Sequence, residues 1–320
     1  MSEDLRPTLL LTGPIMEAVV ERQLKEAFRL VGAADFDAAI AAEGGAIRGL
    51  VTRGARRVDD ALLARLPALE IVANFGVGYD TVDAAAAARR GIMVTNTPDV
   101  LNEEVADLTL GLLLATVREI PQADRYLRAG KWEAAPFPLG ATLRDRSIGI
   151  VGMGRIGRAI GRRIEAFGRP VAYHSRRPAD DCPYRHYPDL VALARDVDTL
   201  ILILPGGPET KALVGREVLA ALGPEGILIN VARGSVVDEP ALVDALVNRT
   251  IRAAGLDVFA DEPHVPEALM GLDNVVLLPH VGSATHHTRG AMGQLVVDNV
   301  KSWFAGNGPV TPVVETPASR

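Results

Sequence analysis

Ten short, continuous apolar runs punctuate the sequence, and stretches of helical periodicity separate most of them. The runs are TLLLT (8–12), GLVT (49–52), EIVAN (70–74), IMVTN (92–96), SIGIVG (147–152), PVAYHS (170–175), TLILIL (199–204), GILINVA (226–232), AAGLDVF (253–259) and NVVLLP (274–279). A strand with one wet face alternates apolar and polar residues. These runs are apolar nearly throughout, as strands covered by helices on both faces must be. The segments EEVADLTLGLLLATVREI (103–120) and RIGRAIGRRIEAFG (155–168) read as covering helices. Strand–helix alternation of this kind folds as doubly wound α/β layers with parallel sheets.

The runs fall into two sets, before and after the segment 99–140, and only the second set opens with a glycine fingerprint. We therefore expect two doubly wound parallel-sheet lobes, one a Rossmann-type dinucleotide-binding domain over 98–287. The other, a substrate-binding domain, takes 1–97 plus 288–320, with a C-terminal helix over 285–305. At 320 residues, 48% hydrophobic and 23% charged, the chain can bury two such cores. A net charge of −6 argues against nucleic acid as a partner, which needs a concentrated basic face. The opening MSEDLRPTLLLTG puts acids before a very short apolar run, unlike a signal peptide. The apolar stretch LTLGLLLATV (108–117) reaches about half a bilayer, so no membrane partner is expected. Cys182 is the sole cysteine, so an intrachain disulfide is impossible and no metal site is expected. A cytoplasmic location follows as an expectation.

Gly152, Gly154 and Gly157 form a G-x-G-x-x-G pattern between the SIGIV run and a helical stretch. Gly152 permits a tight turn, Gly154 lets backbone approach a pyrophosphate, and Gly157 allows close helix–strand packing. Arg155 and Ile156 lie in the same turn, at a helix N-terminus whose free N–H groups suit an anion. A fold of this type that takes NAD places an acid at the end of its second strand, to accept from the adenosine ribose hydroxyls. Here that position, eighteen residues after Gly157, is Ser175, followed by Arg176 and Arg177. Fixed positive charge with several donors suits a 2′-phosphate, so NADP(H) is expected in preference to NAD(H). The alternative is that SRRP is only a solvated turn.

Three further motifs end successive strand candidates. NVARGSVVDE (230–239) carries Arg233, LDVFADEP (256–263) carries Asp257 and Glu262, and LLPHVGSAT (277–285) carries His280. Singly they are a surface arginine beside a turn glycine, ordinary loop acids and a structural histidine. Ligands of open α/β sheets bind at the carboxyl ends of strands, where all three fall. An arginine, a carboxylate and a histidine meeting there supply an anchor for an acid, an anionic partner and a proton donor.

With NFGVGYDTVD (74–83), TNTPDVLNEEVADLTLGLLLA (95–115) and RAGKW (128–132), these stretches resemble the D-isomer-specific 2-hydroxyacid dehydrogenases over nearly the whole chain. The glyoxylate/hydroxypyruvate reductase branch is the most similar. The resemblance implies that Arg233 holds the α-carboxylate and polarises the keto oxygen, that His280 protonates that oxygen, and that Glu262 pairs with His280. The backbone N–H groups of Val77 and Gly78 would bind the carboxylate. Asp257 would bond the nicotinamide carboxamide, with Val231 and Ala232 lining the ring. Leu204, Pro205, Thr210, His280 and Gly282 would be further cofactor contacts. Gly206 and Gly207 depart from the polar residues common after this proline. The family's arm, matching 99–140, implies a homodimer, with Trp132 either near the partner's active site or in the interface core.

Hydride arriving at a keto carbon builds charge on oxygen, which a cationic imidazole stabilises and then neutralises. The expected reaction is NADPH-dependent reduction of a small 2-keto acid, glyoxylate or hydroxypyruvate, to the D-2-hydroxy acid. The same chemistry on 2-ketogluconate or an aromatic pyruvate stays open; phosphoglycerate oxidation fits less well, for want of a C-terminal regulatory domain. A cofactor-sensing, corepressor-like binding protein on this scaffold is the alternative of another class. Arg53 is a second candidate for the carboxylate.

Overall fold

A computed structural model describes residues 6–13, 18–32, 34–54 and 56–316; the first acids of the N-terminal stretch lie outside them. Within the described residues, β1 (Thr8–Leu11), β2 (Arg29–Val31), β3 (Ile47–Thr52), β4 (Ile71–Asn74) and β5 (Met93–Thr95) make one sheet. Its order is β2-β1-β3-β4-β5, and every pairing is parallel. A second all-parallel sheet holds β6 (Ile148–Val151), β7 (Val171–His174), β8 (Arg185–Tyr187), β9 (Thr199–Leu202), β10 (Ile227–Asn230), β11 (Ala253–Leu256) and β12 (Val275–Leu277). Its order is β12-β11-β10-β9-β6-β7-β8. The chain divides into two compact units, residues 1–101 with 284–320, and residues 102–283, with one sheet in each.

Alternation of side chains along each strand explains why the runs are apolar throughout. In β4, Val72 joins a layer with Leu62, Leu63 and Leu66, while Ile71 and Ala73 face the opposite layer. That second layer includes Val296, Val297, Val300 and Trp303 of the C-terminal helix His286–Phe304, which packs on β4. In the second unit, Ile148 and Ile150 of β6 meet Leu110, Leu113, Ile160 and Ile164 on one face. Val151 turns to Leu193 and Leu200 on the other. The helices Asn102–Val117 and Arg155–Ala166 cover the first of those faces.

Two strands are absent from the sequence pattern, β2 and β8. Each is three residues long, carries an arginine and forms a sheet edge, so neither is an apolar run. Charge on short edge strands protects them from stray pairing. Several apolar runs overshoot the paired strands at their carboxyl ends: Val231–Ala232, Asp257–Phe259 and Leu278–Pro279 leave the sheet as loops. The helical reading of 103–120 also needs correction, because the helix stops at Val117. Glu119 takes a left-handed backbone (φ 54°) and a new helix, Ile120–Arg128, begins with Pro121 in its first turn. Proline has no N–H with which to continue the earlier helix. Among the described residues no helix is long and apolar enough to cross a membrane.

Candidate active site

In the second sheet the chain order reverses between β6 and β9, which opens a crevice at their carboxyl ends. The glycine turn lies there. Gly152 has φ 103°, and a Cβ on Gly157 would fall 2.2 Å from the Gly152 carbonyl oxygen. Both positions therefore demand glycine, and the helix Arg155–Ala166 starts directly behind them. This bare backbone at a helix N-terminus is a cradle that suits the pyrophosphate of a dinucleotide.

At the end of β7 the SRRP turn is ordered. Ser175 Oγ donates to the Arg177 carbonyl, and Ala179 N donates to the Tyr173 hydroxyl at 2.9 Å. Hydrogen bonds from ring nitrogens of His174 to Tyr187 O (2.9 Å) and of His186 to Ser175 O (3.0 Å) tie the turn to β8. Arg176 and Arg177 both face solvent. Arg176 makes an ion pair with Glu209, a residue of the loop after β9. Nothing in the sequence pattern signals that pair. In the same loop the Thr210 hydroxyl donates to Pro205 O at 2.8 Å, so its one proton closes the turn that follows Leu204.

Three loops at the ends of β10, β11 and β12 interlock. After β10, Asn230 is 1% exposed; its Nδ2 donates to Arg233 O (3.1 Å) and its Oδ1 accepts from Ala232 N (3.0 Å). Gly234, next to Arg233, lets the following loop approach: a Cβ there would sit 1.8 Å from the Phe259 carbonyl carbon. Phe259 N in turn donates to Glu262 Oε1 at 3.0 Å, and Glu262 Oε2 lies 2.7 Å from His280 Nδ1. His280 holds a left-handed backbone (φ 54°), fixed by its own N–H to Asp257 O at 2.8 Å. Asp257, 2% exposed, accepts from Val281 N at 2.7 Å and Gly282 N at 2.9 Å.

The electrostatics follow from this arrangement. Burial opposes charge on Glu262, but the His280 hydrogen bond, the Phe259 N–H and the charges of His280 and Arg233 outweigh it. Its carboxyl therefore titrates below the ordinary value. Burial dominates at Asp257 and raises it, against the Val281 and Gly282 amides. Because an ionised Glu262 can only accept, the hydrogen of the pair sits on His280 Nδ1. Nε2 has no recorded partner among the described residues.

The remaining sequence candidates lie elsewhere in the chain. Val77 and Gly78, both half-buried, occupy the loop that leaves β4. Arg53 follows β3, whose neighbour β1 marks the order reversal of the first sheet. In 99–140, the helix Ile120–Arg128 buries none of its side chains. Ile120, Leu127, Trp132 and Leu139 are all exposed, Trp132 by 67%.

Residues 110–282 match the model of the D-isomer specific 2-hydroxyacid dehydrogenase NAD binding domain. The chain belongs to that family. It is 45% identical to a glyoxylate/hydroxypyruvate reductase of Arabidopsis thaliana, over 93% of this chain and 96% of the relative. A hydroxyphenylpyruvate reductase of Plectranthus scutellarioides is also 45% identical, with the same coverage of both chains. Among solved structures, an NADPH-dependent glyoxylate/hydroxypyruvate reductase of Sinorhizobium meliloti in complex with NADP and malonate superposes with a TM-score of 0.93. It is 52% identical, covering 98% of this chain and 99% of that one. The protein is thus an oxidoreductase of the 2-hydroxyacid dehydrogenase family with a nicotinamide cofactor. The two parallel-sheet lobes expected from the alternating runs are those of the family.

Proposed function

We propose that this dehydrogenase reduces a small 2-keto acid of the glyoxylate or hydroxypyruvate type to the D-2-hydroxy acid, with NADPH preferred over NADH. The observation that carries the reading is the 2.7 Å pair between His280 Nδ1 and Glu262 Oε2, with the Arg233 charge acting on the same carboxylate. When bound, the cofactor supplies the hydride that reaches the keto carbon. The chain does the rest. Arg233 grips the substrate carboxylate and polarises the keto oxygen, and the N–H groups of Val77 and Gly78 bind the same carboxylate. Glu262 holds the imidazole by Nδ1 and favours its protonated form, so that Nε2 gives its proton to the oxygen as the carbonyl π electrons move there.

The cradle of Gly152, Gly154 and Gly157, with Arg155 and Ile156 behind it, takes the pyrophosphate. Ser175, Arg176 and Arg177 take the adenosine end, with Leu204, Pro205 and Thr210 beside it. Val231, Ala232, Asp257, His280 and Gly282 surround the nicotinamide. In this reading residues 98–287 bind the nucleotide and 1–97 with 288–320 bind substrate. The exposed apolar side chains of 99–140 support a homodimer, because a lone surface rarely leaves so many uncovered.

The test is steady-state reduction of glyoxylate, hydroxypyruvate, 2-ketogluconate and hydroxyphenylpyruvate with each cofactor. The expected result is the highest kcat/KM for one of the first two with NADPH. His280→Gln is expected to bind NADPH normally and to lose a factor on the order of 10² in kcat. Turnover of that variant within a few-fold of the parent overturns the role of His280; absence of turnover on all four acids favours a binding protein.

A further inference from the structure

We propose that Asn74 and Asn96 are positioning residues: they turn the backbone of the loop after β4 so that the N–H groups of Val77 and Gly78 point together at an incoming carboxylate. The inference rests on the reading of those two amides as carboxylate ligands and says how this chain holds them.

Asn74, the last residue of β4 and 2% exposed, donates through Nδ2 to Gly76 O at 3.1 Å and to Gly78 O at 3.0 Å. Asn96, just beyond β5, donates through Nδ2 to Val77 O at 2.9 Å. Thr97 N adds a second donor to Gly76 O at 3.0 Å. Three successive carbonyls are thus drawn back onto the fold. All the partners are acceptors, which fixes both amide groups with their NH₂ toward the loop.

A trans peptide is planar, and its C=O and N–H point in opposite directions. Pulling Gly76 O inward turns the Val77 N–H outward, and pulling Val77 O inward turns the Gly78 N–H outward. Among the described residues neither N–H has a recorded acceptor. Two adjacent outward N–H groups form a small anion-binding concavity. Their cost of orientation is met in advance, because Asn96 is itself anchored by Thr311. Thr311 Oγ1 donates to Asn96 O at 2.7 Å, and Asn96 N donates to Thr311 O at 3.3 Å.

The experiment compares glyoxylate with its methyl ester at saturating NADPH, for the parent, Asn96→Ala and Asn96→Asp. Asn96→Ala removes the donor from a half-buried position, and Asn96→Asp sets an acceptor against Val77 O. Losing the hydrogen bond that aims the amide is expected to raise KM for glyoxylate by about tenfold in Asn96→Ala, and more in Asn96→Asp. KM for the ester, the dissociation constant of NADPH and the melting temperature are expected to stay near those of the parent. A drop in the acid-over-ester preference supports the proposal. An unchanged preference in folded Asn96→Ala overturns it and leaves the amides as ligands held by other means. A parent that does not prefer the acid over the ester removes the carboxylate reading itself, and the proposal falls with it.

Discussion

Arg176→Ala is the sharpest probe of the cofactor reading, and the Glu209 pair sets its size. A guanidinium–phosphate contact is charge-assisted and contributes roughly ten- to a hundredfold in affinity. Arg176 already has an anionic partner, so part of that gain goes into exchanging Glu209 for the 2′-phosphate. The two side chains are 85% and 75% exposed, so water screens the pair and it contributes at most about fivefold. The quotient predicts that Arg176→Ala weakens NADPH by roughly two- to a hundredfold, while Glu209→Gln tightens it by up to about fivefold. NADH, with no 2′-phosphate, is expected to respond to neither. Arg177 has no acidic partner among the described residues, so Arg177→Ala carries no such discount. Dissociation constants for both cofactors, measured by titration of the parent, the two single variants and the double variant, complete the cycle. In the Arg176→Ala background, Glu209→Gln is expected to do nothing. If Arg176→Ala weakens NADH as much as NADPH, the turn does not read the phosphate and the reasoning fails.

Glu262→Gln removes the carboxylate that favours an imidazolium at His280, so the pH at which keto-acid reduction fades is expected to move down; a pH–rate profile identical to the parent's makes Glu262 structural. Because the Glu262 carboxyl titrates below its ordinary value, its contribution to stability is present above the unfolded carboxylate range and lost as pH falls through the folded value, which acid unfolding of parent and variant reads directly. Asp257→Asn leaves one oxygen for two N–H groups, costing about 1.5–3 kcal/mol at the loop that fixes His280, partly offset by relief of a buried charge; kcat is expected to fall at least about tenfold, and parental kcat refutes this. Gly234→Ala sets a Cβ against the Phe259 backbone and is expected to lower both melting temperature and activity, since the loop carrying Glu262 must move; a parental melt contradicts the contact.

Interior strands are legible in the sequence because strands covered on both faces must be apolar throughout, as Val72 and Ile71 of β4 illustrate by facing opposite layers. The arginine-bearing edges β2 and β8 carry no such signal. Arg233, Glu262 and His280 could be placed at strand ends because each follows an apolar run directly. What holds them was hidden, since it joins residues distant in sequence. Asp257 reads as a loop acid until its two oxygens are seen on Val281 and Gly282, and Gly234 as a turn glycine until Phe259 is seen against it. The Arg176–Glu209 pair spans two loops on different strands, and no local pattern in either one calls for the other.

The linked loops after β10, β11 and β12 also bear on how such a chain can vary. Arg233 sits beside the glycine that admits Phe259, Phe259 holds Glu262, Glu262 holds His280, and Asp257 holds the backbone of His280. A change at any link alters the setting of the others, so substitutions there act on one another and cannot be judged one at a time. Double substitutions along this series are expected to cost far less than the sum of the single ones, because the first already disables the unit. Drift in this part of the molecule is therefore confined to concerted change. Freedom to alter by single steps lies in parts outside the series, such as the SRRP turn and its partner loop, where an arginine and a glutamate meet in open water.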